Sequence, residues 1–131
     1  MGKEYTRKVW QRRDDFQPLT KEYYRNRAIV MRRDRGLCLI CELQGQITPA
    51  TDCDHIVPRS KGGSDALSNL AMLCPNCHSL KTRQEATGSL PDRLLLPVYG
   101  LDGWELPTVT RDAYQSEVGR RNALMRENAG F

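Results

Sequence analysis

The sequence predicts an α+β domain in which a two-stranded sheet and the helix after it are held together by a metal ion bound to four cysteines. Three observations indicate this fold class. Two Cys-x-x-Cys pairs enclose the centre of the chain, a Gly-Gly return separates two strand-like stretches between them, and helical patterns lie on both sides. With 131 residues and 39% hydrophobic content, the chain can form one domain with a thin core, which a bound metal would stabilise.

The cysteine pairs are Cys38/Cys41 and Cys74/Cys77. Two cysteines separated by two residues can direct both sulfurs to one ion, and two such pairs complete a tetrahedral structural site, which predicts bound Zn²⁺. Two disulfides or a redox pair are the alternatives. Against them, we find neither a signal peptide for an oxidising compartment nor a βαβ pattern typical of thioredoxin-like proteins. The fifth cysteine, Cys53, is interpreted as a small, inert strand residue.

The stretch between the pairs is predicted to form two strands joined by a loop. Asp54 and His55 lie on the first strand, which Pro58 ends because its ring removes a backbone donor. Gly62-Gly63 permits a sharp return, and residues 69–73 form the second strand. Since neighbours in a strand point to opposite faces, we expect Asp54 and His55 to reach one site from two sides.

Cys74-Pro75 then begins a helix of about ten residues. Cys77 and His78 fall in its first turn. The predicted zinc therefore fixes the start of the helix that presents His78, and losing it is expected to reduce activity as well as stability.

Short motifs between residues 36 and 83 carry a family resemblance: Asp54-His55-Ile56-Val57-Pro58, Gly62-Gly63-Ser64-Asp65, Asn69-Leu70, Cys74-Pro75-Asn76-Cys77-His78 and Lys81-Thr82. Together they resemble the HNH endonuclease family. The resemblance implies a ββα-metal, treble-clef-like unit that cuts phosphodiester bonds, with the cysteine pairs as a structural zinc site. The family-defining positions fall on His55, Asn69 and His78.

The basic helix before the first cysteine pair also resembles small phage-encoded HNH nucleases, some of which lie beside genome-packaging terminase genes. This resemblance implies a bacteriophage protein in the host cytoplasm, with terminase subunits as candidate partners. No apolar run approaches membrane-spanning length, so we expect a cytoplasmic protein without a membrane partner.

Hydrolysis of a DNA phosphodiester requires an activated water, a charge sink for the transition state and help for the departing oxygen. His55 is the candidate general base, since an imidazole accepts a proton at neutral pH at little cost. Asp54 and His78 are the candidate ligands of a catalytic divalent ion, which could be Mg²⁺, Mn²⁺, Ni²⁺ or Zn²⁺. Asn69 is expected to fix a backbone turn or the tautomer of His55.

Each of these residues also has a structural interpretation. Asp54 could cap a turn, Asn69 could open a strand, and His78 could replace a cysteine as a zinc ligand. The joint pattern favours a catalytic site, because both histidines of the chain fall inside the cysteine frame and four cysteines already complete the zinc site.

Positive charge is concentrated at the N-terminus. Residues 1–35 hold eleven basic and five acidic side chains, residues 36–83 hold four of each, and residues 84–131 hold five basic and seven acidic ones, which together give +4. Fifteen of the twenty basic residues are arginine, which favours forked contacts to phosphate. We therefore expect DNA as the partner, with candidate contacts at Arg25, Arg32, Arg59, Lys61, Lys81 and Arg83.

The regions around the core are predicted as an arm (residues 1–19), a nuclease core with its lead-in helix (residues 20–87) and an extension (residues 88–131). Within the arm, Trp10 packs on the domain or stacks on a base. The extension is expected to contain an extended stretch over residues 94–104.

Thr20 is the expected N-cap of a lead-in helix over residues 21–34, which Gly36 closes. Its packing face is predicted to contain Tyr23, Tyr24, Ala28, Val30 and Met31, and its DNA-facing side Arg25, Arg32 and Arg33. The helix after the second cysteine pair is expected to carry Lys81 and Arg83 towards solvent. A final helix over residues 110–126, with Tyr114, Val118 and Met125 on one stripe, is predicted to pack on the core or to bind a partner.

These observations predict a divalent-metal-dependent endonuclease that nicks or cuts DNA with weak sequence preference, sharpened by a terminase-like partner during genome packaging. A double-strand cut would require two visits, two sites or two protomers. One alternative is a non-catalytic zinc module that binds DNA or a packaging partner. Another is a restriction or homing endonuclease, although little chain lies outside the core to read bases.

Overall fold

The computed structural model describes residues 18–87 and 109–129. The elements in chain order are α1 (Lys21–Arg33), α2 (Leu39–Leu43), β1 (Asp52–His55), β2 (Leu70–Leu73), α3 (Pro75–Thr87) and α4 (Arg111–Ala129). Two 3₁₀ turns, Arg59–Lys61 and Leu67–Asn69, lie between the strands. This arrangement confirms the predicted α+β class. The arm with Trp10 and the predicted extended stretch of residues 94–104 lie outside the described residues.

The two strands form an antiparallel sheet whose faces pack on different helices. Asp54 pairs with Ala71 and His55 with Leu70. All four residues of β2 are buried. The side facing α4 packs around Ala71, Leu73, the four paired cysteines, Tyr114 and Val118. The side facing α1 packs around Leu70, Met72, Tyr23 and Val30.

Helix α1 begins and ends as the sequence predicts. The Thr20 hydroxyl accepts the Tyr23 N–H at 3.0 Å, which confirms the N-cap. At the other end the backbone turns left-handed at Arg35 and Gly36, with φ of 59° and 68°. The Gly36 N–H donates to the Met31 carbonyl, so the glycine closes the helix.

The predicted packing face of α1 is partly wrong. Tyr23 and Val30 are buried, but Tyr24 and Met31 are 59% and 39% exposed. Ala28 is exposed as well. The packed face instead includes Arg33, so the prediction that Arg33 lies on the DNA-facing side is wrong. Its guanidinium pairs with Asp34, at 2.9 Å, and donates to the Leu70 carbonyl at 2.7 Å. A buried ion pair with satisfied donors allows an arginine to replace an apolar residue there.

The loop between the strands confirms the Gly-Gly return. Gly62 has φ +87°, and a Cβ on Gly63 would lie 1.7 Å from the Val57 carbonyl oxygen. Strand β1 ends at His55, before Pro58. The Asn69 side chain hydrogen-bonds to both the N–H and the carbonyl of Val57, so these groups are not available for pairing with a neighbouring strand. Asn69 itself belongs to a 3₁₀ turn, so β2 begins one residue later than predicted.

Helix α4 packs against the cysteine-containing core. Tyr114 and Val118 are fully buried, and Met125 is half-buried, so the predicted stripe packs along most of its length. The Arg121 guanidinium reaches Asp34 at 3.1 Å and ties α4 to the end of α1. Within residues 18–87 and 109–129, no helix combines the length and apolar composition that crossing a lipid bilayer requires.

Candidate active site

The sulfurs of the two cysteine pairs converge on one point. One ligand atom from each of Cys38, Cys41, Cys74 and Cys77 lies within 4.8 Å of the others. The Cys41 sulfur is 3.9 Å from that of Cys74 and 3.7 Å from that of Cys77. Around a tetrahedral ion with metal–sulfur bonds of about 2.3 Å, sulfurs lie about 3.8 Å apart, so these thiols fit a Zn²⁺-type site.

Local backbone hydrogen bonds position these thiols at helix starts. The Cys41 N–H points at the Cys38 sulfur at 3.4 Å, and the Cys77 N–H points at the Cys74 sulfur at 3.5 Å. Hydrogen bonds among the thiols lower the pKa of Cys41 to about 2 and raise the pKa of Cys38 to about 12. A metal ion bound to the four sulfurs would replace the protons that these thiols share.

A cleft of about 440 Å³ lies beside this site, over the end of β1 and the side of α3. It brings together three predicted catalytic residues, Asp54, His55 and His78. Arg59 and Lys61, two predicted DNA contacts, also line it. The cleft therefore combines candidate metal ligands, a candidate base and positive charge.

Asp54 and His78 face each other as a pair of metal ligands would. The His78 Nε2 lies 3.7 Å from the Asp54 Oδ1, a gap that an ion about 2.1 Å from each atom would span. The other ring nitrogen, Nδ1, lies 2.9 Å from the Asp52 carboxylate. This contact directs Nε2 towards Asp54, in the carboxylate–histidine–metal arrangement that orients metal-bound imidazoles.

The predicted solvent orientation of Lys81 is wrong. Its side chain is only 1% exposed, and its ammonium lies 3.1 Å from the Asp54 carboxylate and 2.9 Å from the His55 carbonyl oxygen. It also contacts Glu85 one turn along α3. A buried ammonium needs such acceptors, so Lys81 turns inward and supports the metal ligand.

Asp54 is held from its buried side by α4. The Tyr114 hydroxyl donates to the Asp54 Oδ2 at 3.0 Å. Burial raises the pKa of Asp54 above its ordinary value, while the neighbouring charge of Lys81 acts in the opposite direction. The carboxylate that would bind the ion is therefore fixed by two donors from two helices.

His55 lies on the opposite face of β1 and is held by α1 and the loop. Its Nε2 lies 2.7 Å from the Asp65 Oδ1. Its ring stacks on Tyr23, with centroids 5.4 Å apart and planes at 15°. Burial raises the pKa of Asp65, but hydrogen bonds from Thr20 and His55 outweigh that effect and hold the pKa below its ordinary value.

Asn69 lies behind the loop and does not line the cleft. Its carbonyl oxygen accepts the Val57 N–H at 2.9 Å, and its amide donates to the carbonyls of Val57 and Ser64, at 3.1 and 2.8 Å. These contacts correspond to the alternative in which Asn69 fixes a backbone turn, not the one in which it fixes the tautomer of His55. The residue beside the His55 ring nitrogen is Asp65, not Asn69.

The remaining predicted DNA contacts lie on different surfaces. Arg25 and Arg32 are exposed on α1, and Arg83 is exposed on α3. Arg59 is half-buried and donates to the Pro18 carbonyl at 3.0 Å, so part of its guanidinium already binds the chain. Lys61 is exposed at the cleft.

Residues 38–84 match the HNH endonuclease family. This match covers the four cysteines, β1, the loop, β2 and most of α3. Together with the four-cysteine site and the cleft, it identifies residues 38–84 as a segment that is similar to HNH endonucleases and carries four cysteines at one site.

Three known proteins are similar to the chain. The type IV methyl-directed restriction enzyme EcoKMcrA of Escherichia coli K12 is 32% identical in an alignment of 68 positions that covers 46% of this chain and 24% of that protein. Anaredoxin of a Nostoc species is 33% identical over 42 residues, 32% of this chain and 51% of that protein. The chain thus spans about a quarter and about half of these relatives.

The third is a solved structure, the HNH endonuclease of the deep-sea thermophilic bacteriophage GVE2 with a manganese ion. It matches with a TM-score of 0.50 and 27% identity over 66% of this chain and 88% of that chain. This match extends beyond the HNH segment itself.

Sequence reasoning missed three residues of the site, Asp52, Asp65 and Tyr114, as well as the inward orientation of Lys81. Two of them had a local signal. Asp52 precedes Asp54 by two positions and therefore shares its face of β1, and Asp65 closes the Gly-Gly loop. Tyr114 is 60 residues from Asp54 in sequence, and only the packing of α4 brings the two together.

Proposed function

We propose that the chain is a divalent-metal-dependent DNA endonuclease that hydrolyses phosphodiester bonds. The observation that carries this proposal is the cleft that joins the Asp54–His78 pair to His55. A structural zinc module alone has no need for a second pair of metal ligands beside a histidine. The proposed core comprises residues 20–87, preceded by an arm (1–19) and followed by an extension (88–131).

In the proposed mechanism, Zn²⁺ on the four cysteines has a structural role. Asp54 and His78 would hold the catalytic divalent ion, which supplies charge stabilisation for the transition state and the leaving oxygen. Mn²⁺ is one candidate, since the similar phage endonuclease was solved with that ion; Mg²⁺, Ni²⁺ and Zn²⁺ are the others.

His55 would act from the other face of β1. Its imidazole takes the proton of the attacking water, and its stacking on Tyr23 keeps the ring in place while the proton moves. Asn69 would act as a positioning residue, because its three hydrogen bonds hold the loop that carries Arg59 and Lys61 above the cleft.

The experiment that tests the proposal follows supercoiled plasmid as it becomes nicked and linear, with chelator, Mg²⁺ or Mn²⁺. The parent protein should nick DNA only with added ion. The His55→Ala variant should lose at least about 100-fold in rate, the usual contribution of a general base. The control is Ser60→Ala, an exposed residue of the same cleft, which should keep the parent rate.

Zinc content and circular dichroism show whether each variant has folded. Folded parent protein that shifts DNA in a gel but cleaves it under no ion would contradict the proposal. That result would instead support the alternative of a non-catalytic zinc module.

DNA binding is proposed to use the positive rim of the cleft. Replacing both Arg59 and Lys61 by alanine should weaken DNA binding and reduce the slope of log K against log salt by about 1.8, for two lost phosphate contacts. The control is Lys21→Ala with Arg126→Ala, which removes the same charge from exposed positions away from the cleft. An unchanged slope in the first variant would contradict a role of this loop in DNA binding.

Two biological roles are supported by different similarities. The similarity to the phage endonuclease favours a bacteriophage nuclease. We propose weak sequence preference because little chain lies outside the core to read bases, and the host cytoplasm and a terminase partner from the resemblance of the lead-in helix. The similarity to a methyl-directed restriction enzyme favours a restriction role. Cleavage of methylated and unmethylated copies of one plasmid separates them, because only the restriction role predicts dependence on methylation.

A further inference from the structure

We propose that Asp65 is a positioning residue that holds His55 in the Nε2–H tautomer and leaves Nδ1 as the atom that accepts the proton from water. This inference rests on the proposed function, since it gives the tautomer of the proposed base. It is carried by the contact of 2.7 Å between the His55 Nε2 and the Asp65 Oδ1.

The hydrogen bonds around Asp65 decide which atom carries the proton. The Thr20 hydroxyl already accepts the Tyr23 N–H at 3.0 Å, so its single proton is free for donation. That proton goes to the Asp65 Oδ2 at 2.6 Å. One carboxylate oxygen therefore accepts from Thr20, and the other is left to accept from His55.

Asp65 is also fixed in space. The Asn26 side chain donates to its backbone carbonyl at 2.9 Å, and the residue is 9% exposed. Together with the Thr20 contact, this anchors the loop end to the first turns of α1. The carboxylate thus meets the imidazole as part of a rigid support and not as a loose surface group.

The ring of His55 has little freedom to choose another partner. It is stacked on Tyr23, and its side chain is 13% exposed. A neutral imidazole has one nitrogen that donates and one that accepts. If Nε2 donates to Asp65, then Nδ1 is the nitrogen that can take the proton of a water. A carboxylate that fixes a histidine tautomer in this way is familiar from catalytic triads.

The decisive variant is Asp65→Asn. Asparagine keeps the shape of the side chain and an oxygen for the Thr20 proton, but turns an amide donor towards the His55 Nε2. That nitrogen must then accept, which moves the imidazole proton to Nδ1 and removes the proposed base. We expect a loss in kcat of roughly 10²- to 10⁴-fold with little change in KM for DNA. The control is Glu22→Gln, the same acid-to-amide change at an exposed position of α1.

The tautomer itself can be observed without any cleavage. Long-range ¹H–¹⁵N NMR spectra distinguish Nδ1–H from Nε2–H imidazoles, and the chain has only two histidines. His55→Ala identifies the signals of the ring in question. We expect Nε2–H in the zinc-loaded parent and in Glu22→Gln, and Nδ1–H in Asp65→Asn.

A parent His55 in the Nδ1–H form would overturn the inference, even if Asp65→Asn failed to fold. A folded Asp65→Asn protein whose His55 keeps the Nε2–H tautomer would also overturn it. So would a folded Asp65→Asn protein that nicks DNA within about threefold of the parent rate, because a residue that only anchors the loop can be replaced by asparagine. Failure of the proposed function gives a different result. In that case the parent would nick no DNA under any ion, and the inference would lose its premise whatever the NMR spectra show.

Discussion

Replacing Tyr114 by phenylalanine removes one hydroxyl group from the buried side of the candidate active site. The ring stays in the core, where Tyr114 is fully buried, so packing is preserved. The lost group is the donor to the Asp54 Oδ2 at 3.0 Å. Burial raises the pKa of Tyr114 well above its ordinary value, so the parent phenol is a donor at every pH at which the protein would be assayed.

The magnitude follows from what remains around Asp54. A hydrogen bond to a charged group contributes about 1.5–3 kcal/mol. The Lys81 ammonium, 3.1 Å from the same oxygen, keeps Asp54 from becoming an unpaired buried charge. We therefore expect the free energy of unfolding to fall by about 1.5–2 kcal/mol. For a domain of this size the corresponding decrease in Tm is roughly 4–8 °C.

The assay is urea denaturation of the zinc-saturated protein, followed by circular dichroism. The matched control is Tyr24→Phe, which removes the same hydroxyl from a tyrosine that is 59% exposed. Tyr24→Phe should change stability by less than about 0.5 kcal/mol. Equal stability of the two variants would refute the argument that α4 holds the metal ligand through this hydrogen bond.

Three further changes test other parts of the site. Cys41→Ser should abolish stoichiometric zinc binding and, with it, both cooperative unfolding and DNA nicking, whereas a folded and active variant would contradict the structural role of the four thiols. Asp52→Asn should weaken Mn²⁺ binding, measured by calorimetry, by about 10- to 100-fold through the loss of the carboxylate that orients His78, with zinc content unchanged. Hydrogen bonds from the next two arginines of α4 lower the pKa of Glu117 to about 2, below its ordinary value of 4.5. Because the pKa of Glu117 is lower in the folded protein, the ionised carboxylate stabilises the fold above pH 4.5, and this stabilisation is lost as the pH falls towards 2. We expect the free energy of unfolding to decrease by about 1 kcal/mol over this range, after discounting for solvent screening. Glu117→Gln should remove this part of the pH dependence in urea denaturation measured at several pH values.

The features predicted correctly from sequence depend on local chemistry. The spacing of the cysteine pairs determines which sulfurs can meet one ion, and the four thiols do converge. Thr20 caps α1 because its hydroxyl reaches an N–H three residues away. Gly62 adopts a left-handed φ of +87°, and Gly63 lies where a Cβ would collide with the Val57 carbonyl. In each case the residues that interact are close in sequence or share a fixed motif.

The features that were wrong or missed depend on partners far away in sequence. A helical wheel places Arg33 with the other basic residues, but its carbonyl and amide partners lie on β2 and α4. The sequence predicts an exposed Lys81, because its buried partners, the Asp54 carboxylate and the His55 carbonyl, lie on a strand, 27 and 26 residues away. The sequence placed Tyr114 on the apolar stripe of α4, which predicted that it packs on the core but not that its hydroxyl donates to a candidate metal ligand.

The alternation of β1 explains why the site needs helices beyond the HNH segment of residues 38–84. Asp54 points to one face of the strand and His55 to the other, so no single element can support both. The Asp54 face is held by α3 and by Tyr114 of α4. The His55 face is held by α1, through the stacking of Tyr23 and through Thr20, which binds Asp65. The family segment thus supplies the proposed chemical groups, whereas the flanking helices determine their orientation.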